Sequence, residues 1–196
     1  MKKITLLPVL IIILLIFGCT ATVNQTPEKI KNTGNNQSTQ TTLTGRVNYT
    51  YYSAPNFLLY YPKGWKVAQS KNGIFEFDSP LEDQNDQIKD GFVVEIWKGN
   101  QSTPEEFENY EKTLFSQGDK IISRKSASYK NRDTYALEVE GINKETGVMM
   151  YYKTLFFRNG PWVYRLSYAI EKSKMNKYQQ VMEEMLDKFV IGDYGI

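Results

Sequence analysis

The chain has 196 residues, with 24 basic and 22 acidic side chains, a formal charge of +2, one cysteine and no histidine. Near-neutrality argues against nucleic-acid binding and against holding an anionic membrane by charge, since both rest on clustered positive charge. A lone cysteine rules out an intrachain disulfide. Without histidine no Ser-His or Cys-His nucleophilic system can be built, and the commonest transition-metal ligand is missing.

The N-terminus reads as an export signal. Lys2 and Lys3 precede an apolar run from Ile4 to Phe17, and Gly18 stands just before Cys19. About 14 apolar residues at 1.5 Å rise reach roughly 21 Å, short of the ~30 Å hydrocarbon core, and Pro8 weakens a permanent helix. Leu15-Ile16-Phe17-Gly18-Cys19 resembles a lipobox, in which the cysteine after a small residue becomes acylated. The expectation is a signal peptide over 1–18 and lipidation at Cys19. That would place the protein on the outer face of the cytoplasmic membrane, or another extracytoplasmic membrane surface, with the lipid bilayer as its first partner. The alternatives are a plain secretory signal or an uncleaved anchor. Cleavage would remove Lys2 and Lys3, leaving 22 basic against 22 acidic side chains.

Residues 19–48 are the expected lipidated cysteine and linker. The stretch is rich in Thr, Asn and Gln and almost free of large apolar groups. It cannot bury enough surface to offset its ordering entropy, and about 29 such residues reach roughly 30 Å. Asn24, Asn36, Asn48 and Asn100 each begin an Asn-x-Ser/Thr triplet, read as chance in an Asn/Thr-rich chain unless the host glycosylates exported proteins.

A globular domain is expected over 49–196. Strands are expected at 57–61, stopped by Pro62-Lys63-Gly64, and at 73–78, with a polar loop over 79–90. Phe92 to Trp97 has little polar content on either face, as in a central strand covered on both sides. Thr103-Pro104-Glu105-Glu106 predicts a helix start, with Thr103 as cap and Glu106 closing the capping box. Phe107, Tyr110, Leu114 and Phe115 share a face of that helix, and Gly118 ends it. Four strands follow near 120–129, 133–141, 147–158 and 161–170, with Asn159-Gly160-Pro161 as the clearest hairpin signal. Ser173 opens a closing helix whose stripe of Met175, Tyr178, Val181, Met182, Met185, Leu186 and Phe189 is expected to be core rather than an adaptable binding face.

Catalytic constellations are sparse. Glu138 and Glu140 point to one face of a strand about 6.6 Å apart, but paired glycosidase carboxylates come from separate elements lining a cleft. Glu82, Asp83, Asp86 and Asp90 share a loop, without the alternating spacing and central glycine of a Ca²⁺ loop and with Lys89 competing. The expectation is no enzyme, no catalytic residue, no metal and no cofactor.

The tyrosine pairs Tyr51-Tyr52, Tyr60-Tyr61 and Tyr151-Tyr152 place one ring on each face of a strand. One face belongs to the core. The other lies beneath a second layer or meets water, where tyrosine suits a protein interface. Tyr52, Tyr61 and Tyr151 are the candidate contacts for a protein partner.

Phe57-Leu58-Leu59-Tyr60-Tyr61-Pro62-Lys63-Gly64-Trp65 resembles the opening of PsbP-like domains. The strand carrying Val93 and Glu95 that leads to Thr103-Pro104-Glu105-Glu106-Phe107 fits too, as do Trp162 to Tyr168 and a closing helix running into Phe189-Val190-Ile191. The resemblance spans roughly residues 50–192. It implies an α+β fold, with a central antiparallel sheet of about six strands flanked by helices in an α/β/α sandwich. It also implies an accessory binding protein, as are the extrinsic photosystem II subunit and a Ran-binding nuclear transport factor of the same fold. The histidine metal ligands proposed for photosynthetic members have no counterpart here. The function expected is a membrane-tethered, non-enzymatic protein-binding or assembly domain; the alternative is a carrier of a small apolar ligand or lipid between sheet and helix.

Overall fold

The computed structural model describes residues 47–69, 72–84 and 86–192, together with the backbone but not the side chains of 115–117. The signal peptide, Cys19 and nearly all of the linker lie outside the described residues, as does the side chain of Phe115.

Two antiparallel sheets and two helices make up the domain. The strands are β1 (Tyr49–Ala54), β2 (Phe57–Pro62), β3 (Lys66–Gln69), β4 (Ile74–Asp78), β5 (Gly91–Lys98), β6 (Lys120–Tyr129), β7 (Arg132–Ile142), β8 (Met149–Asn159), β9 (Trp162–Glu171) and β10 (Val190–Ile191). Helix α1 (Thr103–Gln117) joins β5 to β6, and α2 (Met175–Lys188) follows a 3-10 turn at Lys172–Lys174. The large sheet has seven strands in the order β3-β4-β5-β9-β8-β7-β6, and the small one has three in the order β1-β2-β10. The expectation of a single sheet of about six strands is therefore corrected. Phe57–Pro62 leaves the main sheet to pair with β1 and with a two-residue strand after α2.

Alternation along β8 sorts the layers. Tyr151, Leu155 and Phe157 point into a core shared with Tyr178, Val181, Met182, Met185, Leu186 and Phe189 of α2 and its exit, together with Phe57 and Leu59 of the small sheet. Phe156 and Tyr152 point the other way, into a cluster with Phe107, Tyr110 and Leu114 of α1 and Leu137 and Val139 of β7. Opposite parity on one strand means opposite faces, so α2 and the small sheet cover one side of the large sheet and α1 the other. The methionine-rich stripe of α2 is core, as expected. Phe157 stacks on Tyr164 with ring centroids 5.1 Å apart, and both are fully buried.

Local chemistry fixes the joints. Ser102, not Thr103, begins α1: its Oγ accepts from the Glu105 N–H at 3.4 Å, and Glu105 Oε2 accepts from the Ser102 N–H at 2.8 Å. Both Ser102/Glu105 and Thr103/Glu106 have capping-box spacing, and the residue one step earlier takes the role. Lys130 and Asn131 both have positive φ, 50° and 61°, and turn β6 into β7; this is the left-handed geometry of a two-residue type I′ hairpin. Between β8 and β9, where Asn159 faces Trp162, Gly160 has φ 58° and Pro161 follows with its ring-fixed negative φ, the Gly-first pattern of a type II′ turn.

Beneath α1, Glu95 and Arg165 are register partners on β5 and β9 and form an ion pair. The Arg165 guanidinium lies 4.8 Å from the centroid of the Tyr110 ring. This charged pair is shielded by an aromatic from the helix above it, so the α1 face of the sheet carries a covered ion pair among its apolar side chains.

Candidate functional site

The small sheet carries the exposed aromatic surface. Tyr51 of β1 and Tyr60 of β2 are direct cross-strand partners, their ring centroids 6.1 Å apart. Leu58, two residues from Tyr60, shares that face and pairs with Val190 of β10. Tyr51 is 62% exposed, Tyr60 38% and Val190 50%. An apolar strip thus crosses all three strands on the side away from the core.

The opposite face of β1 and β2 explains why Tyr52 and Tyr61 are not in that strip. Tyr52 packs against Phe57, Phe75 and Phe77 at centroid distances of 6.0, 5.7 and 5.7 Å. Tyr61 lies 5.2 Å from Phe77. Both are half-buried against the core. Phe57 and Leu59 are buried, and period-two alternation carries Tyr61 inward with them. The outward member of each pair is the one before the residue chosen from the sequence. Tyr151 is corrected altogether: it is 5% exposed, its neighbour Tyr152 packs beneath α1, and β8 is covered on both faces.

Tyr151 belongs instead to a polar network between β8, β9 and α2. The Tyr168 hydroxyl donates to Glu183 Oε1 at 2.8 Å, and Lys153 donates to the same oxygen at 2.6 Å. Tyr151 lies 6.1 Å from Tyr168 ring to ring. Burial, reinforced by the carboxylates of Glu138 and Glu183, pushes the Tyr151 hydroxyl far above the usual tyrosine range, and burial with Glu183 does the same to Tyr168. Such hydroxyls stay protonated and donate hydrogen bonds. Glu138 serves this network, and Glu140 pairs with Lys172; the structure gives each strand carboxylate its own local partner.

The acidic loop folds against the turn before α2. Lys174 reaches Asp86 Oδ1 at 2.7 Å, Glu171 Oε2 at 3.1 Å and Asp90 Oδ2 at 3.8 Å, and Lys177 pairs with Glu82 at 2.9 Å. Asp90 accepts the Glu171 backbone N–H at 2.7 Å. Burial pushes the Asp90 carboxyl up to about 6, against the opposing effects of that hydrogen bond and of Lys174. Burial also works against charge on Asp86, but hydrogen bonds from Lys174 and from the Glu82 and Ile88 N–H groups outweigh it and hold Asp86 below the usual range. The groove beside the cluster encloses about 370 Å³ and is walled by Glu82, Asp86, Ile88, Val148, Glu171 and Lys174. A lysine stands where a cation would, and among the described residues no group of three or more His, Cys, Asp or Glu side chains is arranged to hold a metal ion.

The PsbP-like protein family matches residues 5–191 of this sequence. The chain belongs to the PsbP-like family. Among solved structures, cyanobacterial PsbP (CyanoP) of Synechocystis sp. PCC 6803 superposes with a TM-score of 0.53 at 16% identity, covering 76% of this chain and 95% of CyanoP. LpqN of Mycobacterium tuberculosis, which is involved in cell envelope biogenesis, gives 0.52 at 12% identity, covering 81% of this chain and 99% of LpqN. A Pseudomonas aeruginosa protein of unknown function gives 0.50 at 16% identity, covering 69% of this chain and 92% of that protein. No curated protein matches. At these identities the likeness is one of fold: an antiparallel sheet with helices.

Proposed function

We propose that this PsbP-like protein is a non-enzymatic binding or assembly subunit, held on an extracytoplasmic membrane surface by an acylated Cys19 and engaging a protein partner through the small sheet. The observation that carries the reading is the outward Tyr51–Tyr60 pair with Val190 beside it. Tyrosines supply large contact area at low entropic cost, with a hydroxyl at the rim. A domain whose linked form has no net charge suits a short-range aromatic contact over long-range electrostatic steering.

Two further points support it. The family match begins at residue 5, so the apolar leader and Cys19 belong to the matched stretch. LpqN, a structural neighbour, is involved in cell envelope biogenesis, and the lipobox reading would set this chain in the envelope too. The protein-partner reading is preferred to the ligand carrier because the space between α2 and the sheet is filled by Tyr168, Ile170, Met182, Met185 and Phe189, all at most 1% exposed.

The test is capture from detergent-solubilised membranes of the native host, using the full chain with a photo-crosslinking residue at position 60. The expected result is one dominant crosslinked protein, lost when Tyr51 is changed to Ala. Equal crosslinking from position 60 and from a control position such as Lys144 would overturn the small sheet as the contact. Labelled lipid as the sole adduct would favour a membrane-facing role instead.

A further inference from the structure

Strand β6 ends the large sheet. It pairs with β7 on one side, and no described strand lies on the other. At ten residues it is far longer than β3, the four-residue strand at the opposite edge. Arg124, Lys125, Ser126, Ala127 and Ser128 are all exposed. Long exposed edges are templates for another strand.

The hairpin turn tells which backbone groups are free. In a two-residue type I′ hairpin the residues flanking the turn exchange both backbone hydrogen bonds, and pairs alternate from there. Tyr129 faces Arg132 across the turn. Tyr129, Ala127 and Lys125 therefore direct N–H and C=O toward β7. Ser128, Ser126 and Arg124 direct theirs away from the sheet. The register is unbroken over these residues, and the irregularity lies further back, between Ile121 and Ser123.

Side chains decide what pairs there. β6 carries Lys120, Arg124 and Lys125 and no acidic residue. Antiparallel pairing of two β6 strands would set like charges near one another, which disfavours a second copy. The chain's own residues 20–46 hold one acidic side chain, Glu28, against Lys29, Lys31 and Arg46, the wrong sign for this edge. Arg124 faces the α1 side, as does its register partner Leu137. There a groove of about 190 Å³ runs between α1 and β6, with Pro104, Phe107 and Tyr135 in its wall and Glu108 and Glu111 at its α1 side, where Glu111 pairs with Arg124 and leaves Lys125 to set the charge of the edge. The Lys125 backbone borders this groove, but its register partner Ala136 packs on the α2 side, so strand alternation directs the Lys125 side chain to that side.

We propose that the outer edge of β6 receives an extended segment of another protein by strand addition, the segment alternating acidic residues beside Lys125 with apolar residues over Phe107 and Tyr135. Backbone hydrogen bonds to Arg124, Ser126 and Ser128 supply affinity, and the alternating side chains supply selectivity. This surface is separate from the small sheet, so the two stand or fall independently.

The experiment titrates a fluorescein-labelled peptide of alternating valine and glutamate against the full chain in detergent, read by anisotropy. Saturable binding is expected, at least tenfold tighter than for the matching valine–lysine peptide. Ser126→Pro removes an N–H that no ladder bond uses and should weaken binding tenfold or more, with Ser126→Ala unchanged. Lys125→Glu should weaken binding to a similar extent. If Ser126→Pro does not fold, the same peptide N-methylated at alternate residues decides the matter: one of the two methylation registers should abolish binding to the wild-type chain. Equal binding of acidic and basic peptides, indifference to both methylation registers, or a dimer of the full chain that Ser126→Pro dissociates would overturn the proposal.

Discussion

The ammonium of Lys174 stands 2.7 Å from the carboxylate of Asp86, a residue 88 positions earlier in the chain. With the Lys177–Glu82 pair and the Glu171 N–H bond to Asp90, it pins the loop between β4 and β5 to the turn before α2 and the start of that helix. It also neutralises Asp90, which is 1% exposed. Replacing Lys174 with Met leaves that buried charge without its cation. Breaking a buried pair from one side costs about 3–5 kcal/mol, and urea unfolding at pH 7 should show a loss of that size. Lys174→Arg should retain most of the stability. A Met variant as stable as the parent would mean the loop is held by Ile88, the Lys177–Glu82 pair and the Asp90–Glu171 hydrogen bond instead.

Asp90 gives the cluster a pH signature. Its carboxyl titrates at about 6 in the folded chain against 3.8 as an ordinary aspartate. Between those values the folded state binds more protons than the unfolded one, so this group makes stability fall as pH rises from about 4 to about 6. Holding the carboxyl that far above its ordinary value corresponds to roughly 3 kcal/mol. Asp90→Asn, which keeps an oxygen to accept the Glu171 N–H, should gain on the parent by about 2–3 kcal/mol across that window and hold the gain above pH 7. Parallel stability curves for the two proteins would place the burial penalty elsewhere.

The tyrosine pairs separate surface from core by stability. Tyr151→Ala should cost about 3–5 kcal/mol, as for other large buried aromatics. Tyr51→Ala should stay within about 0.5 kcal/mol of the parent. Denaturant midpoints of the two variants check this directly, and a costly Tyr51→Ala would show that the small sheet needs its outer ring for folding.

The capping residue of α1 is also testable. Ser102→Ala should cost about 1 kcal/mol and lower the thermal midpoint by about 2–4 °C. Thr103→Ala should change it little. The reverse order would return the cap to Thr103.

Much of this fold was legible because local pattern and tertiary role agree. The Asn159-Gly160 turn, the two-faced apolar run of β5 and the stripe of α2 each carry their own signal. The split into two sheets does not. β10 is two residues long, too short for any periodicity, yet its pairing with Leu58 and Phe57 holds β2 in the small sheet. The Lys130-Asn131 turn lacks glycine, so Asn131 is the one compositional mark of its left-handed geometry and Lys130 carries none. The inward face of β2 was ambiguous because Leu58 and Leu59 are equally apolar. Only the packing of Phe57 against Phe75 and Phe189, at 4.9 and 5.4 Å, decides it. The lysine at the centre of the acidic loop comes from a segment some 90 residues away, and no local motif links the two.

Tyr49 also has a mechanical consequence. Its hydroxyl donates to Glu184 at 2.8 Å, and the Lys188 ammonium lies 3.6 Å from its ring centroid, while the Lys63 N–H closes on the Asn48 carbonyl at 2.8 Å. Any load drawn through the backbone at Val47 meets this clasp at the first residue of β1. The Tyr49 side chain thus ties the start of β1 to α2 as well as to β2.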